Sequence, residues 1–273
     1  MRTSLFLCRR KSEVAVGGSL SIAFVCLIAL APAAPDKDAE AAAILGELWI
    51  GVPKGFRADV PPAYLPDSAT PEKIEKNPKA YPLRAAVMNA VETLSYARRP
   101  PVLTMVRDPN SAGPGLKQAV QHAQEQPART ILKLDETIND LTTALKSRNK
   151  EPSARWRAHA EYALAEARFR MVLAHEYDHA LGNIRVGAIP ELKKEKGENG
   201  VRLARVEKLS SKKEVRDMAE EAKRLLTDVT KAHPGTPWAV MAEIHLKENL
   251  GMVWEPVVLP DPPKPKPKDT KKP

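Results

Sequence analysis

One five-residue segment of the chain has the residue types and the spacing of a catalytic zinc site. It reads His175-Glu176-Tyr177-Asp178-His179. Two histidines four residues apart on a helix project from one face and can bind the same zinc ion. The glutamate between them can then act as general base on a zinc-bound water. This segment therefore predicts a zinc-dependent metallopeptidase, with His175 and His179 as metal ligands and Glu176 as the catalytic base.

The same segment lacks an evident third ligand, although a catalytic zinc needs three protein ligands and one open position. Gly182 lies where longer zinc-peptidase motifs carry a glycine. Arg185 stands at the position of the third histidine, and a guanidinium cannot be deprotonated to bind a metal. Later glutamates offer a carboxylate but no motif: Glu214, Glu220, Glu221 and Glu243. The remaining histidines show no ligand spacing: His122, His159, His233 and His245.

A packing helix is the alternative interpretation of the segment. Residues 155–184 follow a helical pattern, with small and apolar side chains recurring on one stripe: Ala160, Ala163, Ala167, Met171, Ala174 and Leu181. His175 and His179 lie beside that stripe, where a bundle helix carries polar residues. No strand is predicted between Leu83 and Leu250, although metallopeptidases usually align substrate on a strand edge. We therefore predict no cofactor, and zinc belongs to the alternative hypothesis.

The first 33 residues resemble a signal peptide. Residues 20–30 form an apolar segment, Ala31-Pro32-Ala33 matches a cleavage site, and four basic residues precede both: Arg2, Arg9, Arg10 and Lys11. An uncleaved anchor is the alternative, because residues 14–34 are about long enough to span a bilayer. We predict export to the periplasm or cell envelope, with membrane attachment only if the leader is retained. Both cysteines, Cys8 and Cys26, lie in this leader, so the mature chain is predicted to have no disulfide.

The charge distribution argues against a nucleic-acid partner. The net charge is +9, and five lysines against two aspartates in residues 256–273 supply +3 of it. The other basic residues form no stripe with interleaved aromatics, and aromatic residues make up only 5% of the chain, which leaves few platforms for base stacking.

The predicted fold is all-α, built from helical hairpins after an irregular proline-rich segment. A helix and that segment occupy residues 34–81, and a helical region with a break at Pro127 occupies 82–150. A helical domain follows at 151–255, with Ser153 and Ser211 as helix caps, a loop at 187–202 and a last helix from Trp238 to Leu250. Residues 256–273 are predicted to be a disordered Lys/Pro tail.

The last helical hairpin carries a family resemblance. Residues 219–251 read AEEAKRLLTDVTKAHPGTPWAVMAEIHLKENLG and resemble a tetratricopeptide-type unit, most specifically at the His-Pro-Gly-Thr-Pro-Trp-Ala turn. The wider stretch of residues 163–254 resembles the helical tails of bacterial envelope proteins that carry von Willebrand A domains, although no such domain is present. These resemblances imply stacked helical hairpins that bind peptides or protein partners without catalysis.

These observations predict an exported, non-enzymatic scaffold or adaptor that mediates protein–protein interaction in the cell envelope. The zinc metallopeptidase is the alternative. A third hypothesis is a structural protein held on an anionic envelope polymer through residues 256–273, which contain seven prolines and five lysines. The competing interpretation of that tail is a charged segment that stays solvated.

Overall fold

The structure is a computed structural model and describes residues 61–110 and 113–261. The predicted leader, the helix expected near residues 36–48 and residues 262–273 of the tail lie outside the described residues. The described part is mostly helical and contains a small antiparallel sheet. The predicted helical architecture is therefore correct in its main component, whereas the absence of strands is wrong.

Six α-helices make up most of the described chain: α1 (Pro71–Lys76), α2 (Pro82–Ala97), α3 (Pro114–Leu145), α4 (Ala154–Arg185), α5 (Lys213–Ala232) and α6 (Pro237–Leu246). Four of them begin with proline. Proline suits the first helical position because its backbone angle is already helical and the N–H it lacks would have no partner within the helix.

Helix α4 is the central element and contacts α2, α3, α5, α6 and the last strand. Buried alanines on several of its faces let neighbouring helices approach from different sides: Ala158, Ala160, Ala163, Ala165, Ala167 and Ala180. A helix that is apolar around most of its circumference belongs in the interior. Its predicted N-cap is confirmed, because the Ser153 hydroxyl accepts a hydrogen bond from the backbone N–H of Trp156 at 3.4 Å.

Helix α3 continues through Pro127, so the break predicted at this residue is wrong. A proline inside a helix removes one backbone hydrogen bond and costs about 3 kcal/mol or more. Pro127 is buried, and the same face of α3 buries Thr130, Leu134 and Leu141 against α2 and α4. The apolar contacts of this long helix offset the local cost of the proline.

Three antiparallel strands form a sheet in the order β1 (Met105–Arg107), β2 (Gly200–Val206) and β3 (Gly251–Val257). Val106 pairs with Val201, and Leu203 pairs with Trp254. The prediction of no strand between Leu83 and Leu250 is wrong for β1 and β2.

Two element boundaries also differ from the prediction. The loop expected over residues 187–202 already contains the first residues of β2. The helix expected to reach Leu250 ends at Leu246, and Gly251 begins β3. Gly251 is required there because a Cβ atom at this position would lie 2.1 Å from the carbonyl oxygen of Lys208. The strand also extends into the segment predicted to be tail, as far as Val257.

Buried apolar side chains form two clusters in the described part of the chain, and both include residues of α4. One cluster joins the first half of α4 to α2 and α3, with Leu83, Leu134 and Leu141 among its members. The other runs along most of the helix and joins it to α5, α6 and the sheet, around Phe169, Trp238 and Trp254. None of the described helices is both long enough and apolar enough to cross a membrane.

Candidate functional site

The His175–His179 segment lies in the C-terminal half of α4, and its side chains face different surroundings. His175 and His179 are half-buried, whereas Glu176 is 0% exposed and Tyr177 is also buried. His175 and His179 lie four residues apart on one face of the helix, whereas the Glu176 side chain is buried against other parts of the chain. The structure thus brings the histidines together and directs the glutamate into the protein core.

The Glu176 carboxylate accepts hydrogen bonds from four donors. Its Oε1 atom accepts from the Ser211 backbone N–H at 2.9 Å and from the Ser211 hydroxyl. Its Oε2 atom accepts from the backbone N–H groups of Ser210 at 3.0 Å and Met252 at 3.2 Å. We call this arrangement the Glu176 clamp. It connects α4 to the segment that precedes α5 and to the start of β3.

The Glu176 clamp explains why a carboxylate is stable in the core. A buried carboxylate is costly unless its oxygens are hydrogen-bonded, and donors to an ionised oxygen are stronger than neutral ones. The clamp also changes the role of Ser211, which the sequence predicts to cap α5. That prediction is wrong, because Lys212 is the N-cap residue and the Ser211 hydroxyl donates to Glu176 instead.

Tyr177 and Asp178 also make contacts within the fold. The Tyr177 hydroxyl accepts from the Leu103 backbone N–H at 2.8 Å and donates to the Leu103 carbonyl oxygen at 3.2 Å. Burial raises the pKa of Tyr177, so this hydroxyl keeps its proton. Asp178 accepts from the Gln124 side-chain amide at 3.1 Å. Three of the five residues in the segment therefore hold α4 to other parts of the chain.

The residues expected to complete a zinc site are not gathered around the two histidines. Burial lowers the pKa of His175, which favours the neutral form that binds metals. Glu221 pairs with Arg168 at 3.4 Å, and three other candidates are exposed: Glu214, Glu220 and Glu243. No group of three His, Cys, Asp or Glu residues within 61–110 and 113–261 is arranged to hold a metal ion. The zinc hypothesis stays a prediction.

A second candidate site is a cavity of about 290 Å³ beside Tyr177. Its walls come from residues 97–101 and Thr104 at and after the end of α2, from α3 around Pro127, from α4 between Arg170 and Tyr177, and from β2 and Met252. Four arginines line it: Arg98, Arg99, Arg170 and Arg205. No aspartate or glutamate of the described chain lines it. We call it the arginine cavity.

Glu166 lies behind the arginine cavity and is 1% exposed. The Arg98 guanidinium donates to both of its oxygens, at 2.8 Å from Nε and 2.6 Å from a terminal nitrogen, and Arg170 donates at 3.4 Å. Burial alone would raise the pKa of Glu166, but the hydrogen bonds and charge of Arg98, together with the charge of Arg170, hold it below its ordinary value. Glu166 is therefore ionised and fixes two arginines at the cavity.

Arg205 of β2 lines the cavity, and the positive charge of the neighbouring Arg170 affects its pKa. Its guanidinium contacts Glu248 at 3.4 Å. Burial, together with repulsion from Arg170, lowers the pKa of Arg205 although Glu248 opposes that shift. Arg99 packs over the Tyr96 ring at 4.8 Å. Glu166 and Glu248 supply two negative charges beside four arginines.

Sequence reasoning did not identify the arginine cavity, because its arginines come from separate elements and share no motif. The buried glutamates did leave a signal. Glu176 lies on an apolar stripe between Val172 and Ala180, and Glu166 lies between Tyr162 and Phe169. An acidic residue on the buried stripe of a helix requires specific partners.

Comparisons with known proteins identify no relative. No protein-family model matches the chain, and neither a curated protein nor a solved structure matches it. The resemblances to tetratricopeptide units and to the helical tails of envelope proteins therefore stay predictions.

Proposed function

We propose that the protein is an exported, non-enzymatic helical scaffold or adaptor that binds a protein partner in the cell envelope. The observation that carries this proposal is the Glu176 clamp. A general base must reach the proton that it removes and must have a lone pair available for it. Glu176 is fully buried and its two oxygens already accept from Ser210, Ser211 and Met252.

Energetics support a structural role for Glu176. A hydrogen bond to a charged group contributes about 1.5–3 kcal/mol, and a buried donor that loses its partner costs a similar amount. Moving Glu176 toward a metal held by His175 and His179 would break several such bonds at once. The zinc-peptidase alternative retains the motif itself in its favour, but it requires this rearrangement.

Exposed apolar residues near the arginine cavity support the binding role. Val102 is 63% exposed and Met105 is 54% exposed, and both belong to the segment that Tyr177 holds through Leu103. Apolar side chains beside arginines are typical of the central part of a protein interface. Export rests on the leader residues alone, and contact with an anionic polymer rests on the Lys/Pro tail; both are part of the proposal.

Zinc stoichiometry separates the scaffold from the peptidase. The purified protein and a His175→Ala/His179→Ala variant are dialysed against trace zinc, and His122→Ala serves as control because His122 lies on the exposed surface of α3. We expect no difference in retained zinc and no peptidase activity. A stoichiometric zinc ion that disappears only in the double variant would contradict the proposal.

Site-specific photocrosslinking in cells tests the adaptor role. A photoreactive residue at Val102 is compared with one at Leu132, an exposed apolar position on α3 that does not line the cavity. We expect a discrete protein adduct of reproducible mass from Val102 and none from Leu132. The same adducts from both positions, or none from either, would contradict binding at this surface.

A further inference from the structure

We propose that the arginine cavity binds a carboxylate attached to an apolar group and an adjacent N–H donor, as in an N-acylated apolar amino acid or the C-terminus of a peptide. The inference deepens the proposed adaptor function only where the carboxylate belongs to a protein partner. The cavity has a volume of about 290 Å³, which is enough for a small organic molecule or for the last residue of a peptide.

The positive charge of the cavity favours a carboxylate ligand. Arginine guanidinium groups match the two oxygens of a carboxylate with parallel N–H donors. Glu166 engages Arg98 at 2.6 and 2.8 Å and Arg170 at 3.4 Å, and Glu248 engages Arg205 at 3.4 Å. The cavity therefore places Arg205 and Arg99 where an incoming anion can replace or supplement a weak protein contact.

The rest of the cavity wall favours an apolar group on the ligand. Most of the other wall is apolar and includes Pro100, Pro101, Pro127, Leu173, Leu203 and Met252. An apolar group placed there is removed from water, which is favourable in proportion to its area. A small hydrated anion such as phosphate can also pair with the arginines, but it gains nothing from these apolar residues.

Gln126 favours an N–H donor on the ligand. It lines the cavity, and its side-chain Nε2 donates to the Pro100 carbonyl oxygen at 3.2 Å. Its Oε1 atom is buried and has no hydrogen-bond partner within the described chain. Buried acceptors are normally paired, so this oxygen is suited to an N–H donor on the ligand. An N-acylated amino acid places such an N–H next to its carboxylate.

Titration of the isotope-labelled full-length protein by nuclear magnetic resonance tests the proposal. The probe is N-acetylphenylalanine, and its matched control is N-acetylphenylalaninamide, which differs by the loss of the charge. We expect the acid to shift backbone signals of Thr104, Leu203 and Ala204 and the amide to bind at least about tenfold more weakly. Equal binding of acid and amide, no binding of either, or equal binding of inorganic phosphate would overturn the proposal.

Two substitutions localise the charge dependence. Arg205→Gln and Arg99→Gln should each weaken binding of the acid, Arg205→Gln by about tenfold. Arg202→Gln is the control, because it removes the same charge from the same strand at an exposed residue that does not line the cavity. Arg99 is exposed, so its variant remains informative if Arg205→Gln unfolds the protein. An equal effect of Arg202→Gln would show nonspecific attraction and overturn the site.

A peptide ending in phenylalanine distinguishes the two sources of the carboxylate. Peptide binding at least as tight as that of the free acid assigns the site to a partner's chain end and supports the adaptor function. Binding of the free acid without the peptide supports the carboxylate site while contradicting its use by a protein partner. Failure of the ligand proposal and failure of the adaptor function are thereby separated.

Discussion

Two buried glutamates on helix α4 are stabilised in opposite ways. Glu176 accepts from three backbone N–H groups and one hydroxyl. Glu166 is held by the guanidinium groups of Arg98 and Arg170. In the first arrangement both carboxylate oxygens already accept hydrogen bonds, and these bonds join three segments of the chain. The second fixes two arginines at the wall of a cavity.

This difference separates a motif from a site. The His175–His179 segment matches the sequence motif of a zinc peptidase. The hydrogen bonds around its Glu176 side chain, however, are those of a structural contact. Glu166 belongs to no motif, yet its partners Arg98 and Arg170 line a cavity that two further arginines also line. The hydrogen-bond partners and the burial of a charged residue, rather than the sequence motif around it, decide what that residue can do.

Glu176→Gln should have the largest effect, a loss of about 4 kcal/mol in the free energy of unfolding. An amide nitrogen cannot accept the N–H groups of Ser210 and Met252, so buried donors lose their partners. Urea unfolding followed by circular dichroism measures the loss. Glu207→Gln, an equal charge change at an exposed residue, should have little effect. Equal stability of the two variants would remove the distinction between clamp and surface.

Glu166→Gln should cost about 3 kcal/mol and should do so in a salt-dependent way. Removing this charge leaves Arg98 and Arg170 facing each other without their shared carboxylate, and added sodium chloride screens part of that repulsion. Glu176→Gln creates no such cation pair. Urea unfolding of both variants in low and high salt checks the contrast. An identical salt response would show that the two glutamates are stabilised alike.

His159, also on α4, is a buried titratable group whose Nδ1 atom has no hydrogen-bond partner among the described residues. Burial and the charge of Arg155 lower the pKa of His159 to about 3, against 6.5 when unfolded. The unfolded chain therefore binds the proton first, and the stability that is present above pH 6.5 is lost as the pH falls toward 3. We expect this residue to account for about 2 kcal/mol of the loss between pH 7.5 and 5.

Comparison of His159→Phe with the parent protein isolates that effect. The difference in unfolding free energy between the two should change over the same pH range, whatever its value at neutral pH. His122→Gln, at a 75% exposed histidine, should follow the parent. Parallel curves for all three proteins would contradict a buried neutral His159.

Tyr177→Phe should lower the free energy of unfolding by about 1 kcal/mol. The substitution removes a hydroxyl that both accepts from and donates to Leu103. Because the Leu103 backbone N–H donates to the Tyr177 hydroxyl, its amide hydrogen exchange should accelerate selectively. Tyr96→Phe, on α2, is the control. Unchanged exchange at Leu103 would show that Tyr177 does not hold this segment.

His175→Ala/His179→Ala should have the smallest effect, about 0.5 kcal/mol, because the two side chains are only partly buried. Addition of a chelator should leave the stability of parent and variant unchanged. A large loss of stability on chelation in the parent alone would mean that a metal binds between these histidines.

The sequence predicts the helical elements that local spacing controls. The long α4 helix and its Ser153 cap follow from apolar periodicity and from a hydroxyl that accepts a first-turn N–H. Contacts distant in sequence override the local signals elsewhere. Pro127 remains helical because α3 packs on two neighbours, and Gly251 begins a strand because β2 pairs with it.

The candidate sites were harder to predict for the same reason. The three residues that donate to Glu176 lie far along the chain, and one of them, Ser211, carries a local capping signal that its tertiary contact overrides. The arginine cavity depends on a sheet that brings Arg205 close to Arg170, and no local pattern in β2 predicts that pairing.

Native-state hydrogen exchange at the amides of Ser211 and Met252 tests the Glu176 clamp most directly. Both amides donate to the buried carboxylate, so each should exchange slowly, and Glu176→Gln should accelerate both more than amides in the middle of α4. Exchange of these two amides at the rate of an open chain in the parent protein would contradict the clamp and leave Glu176 available for catalysis.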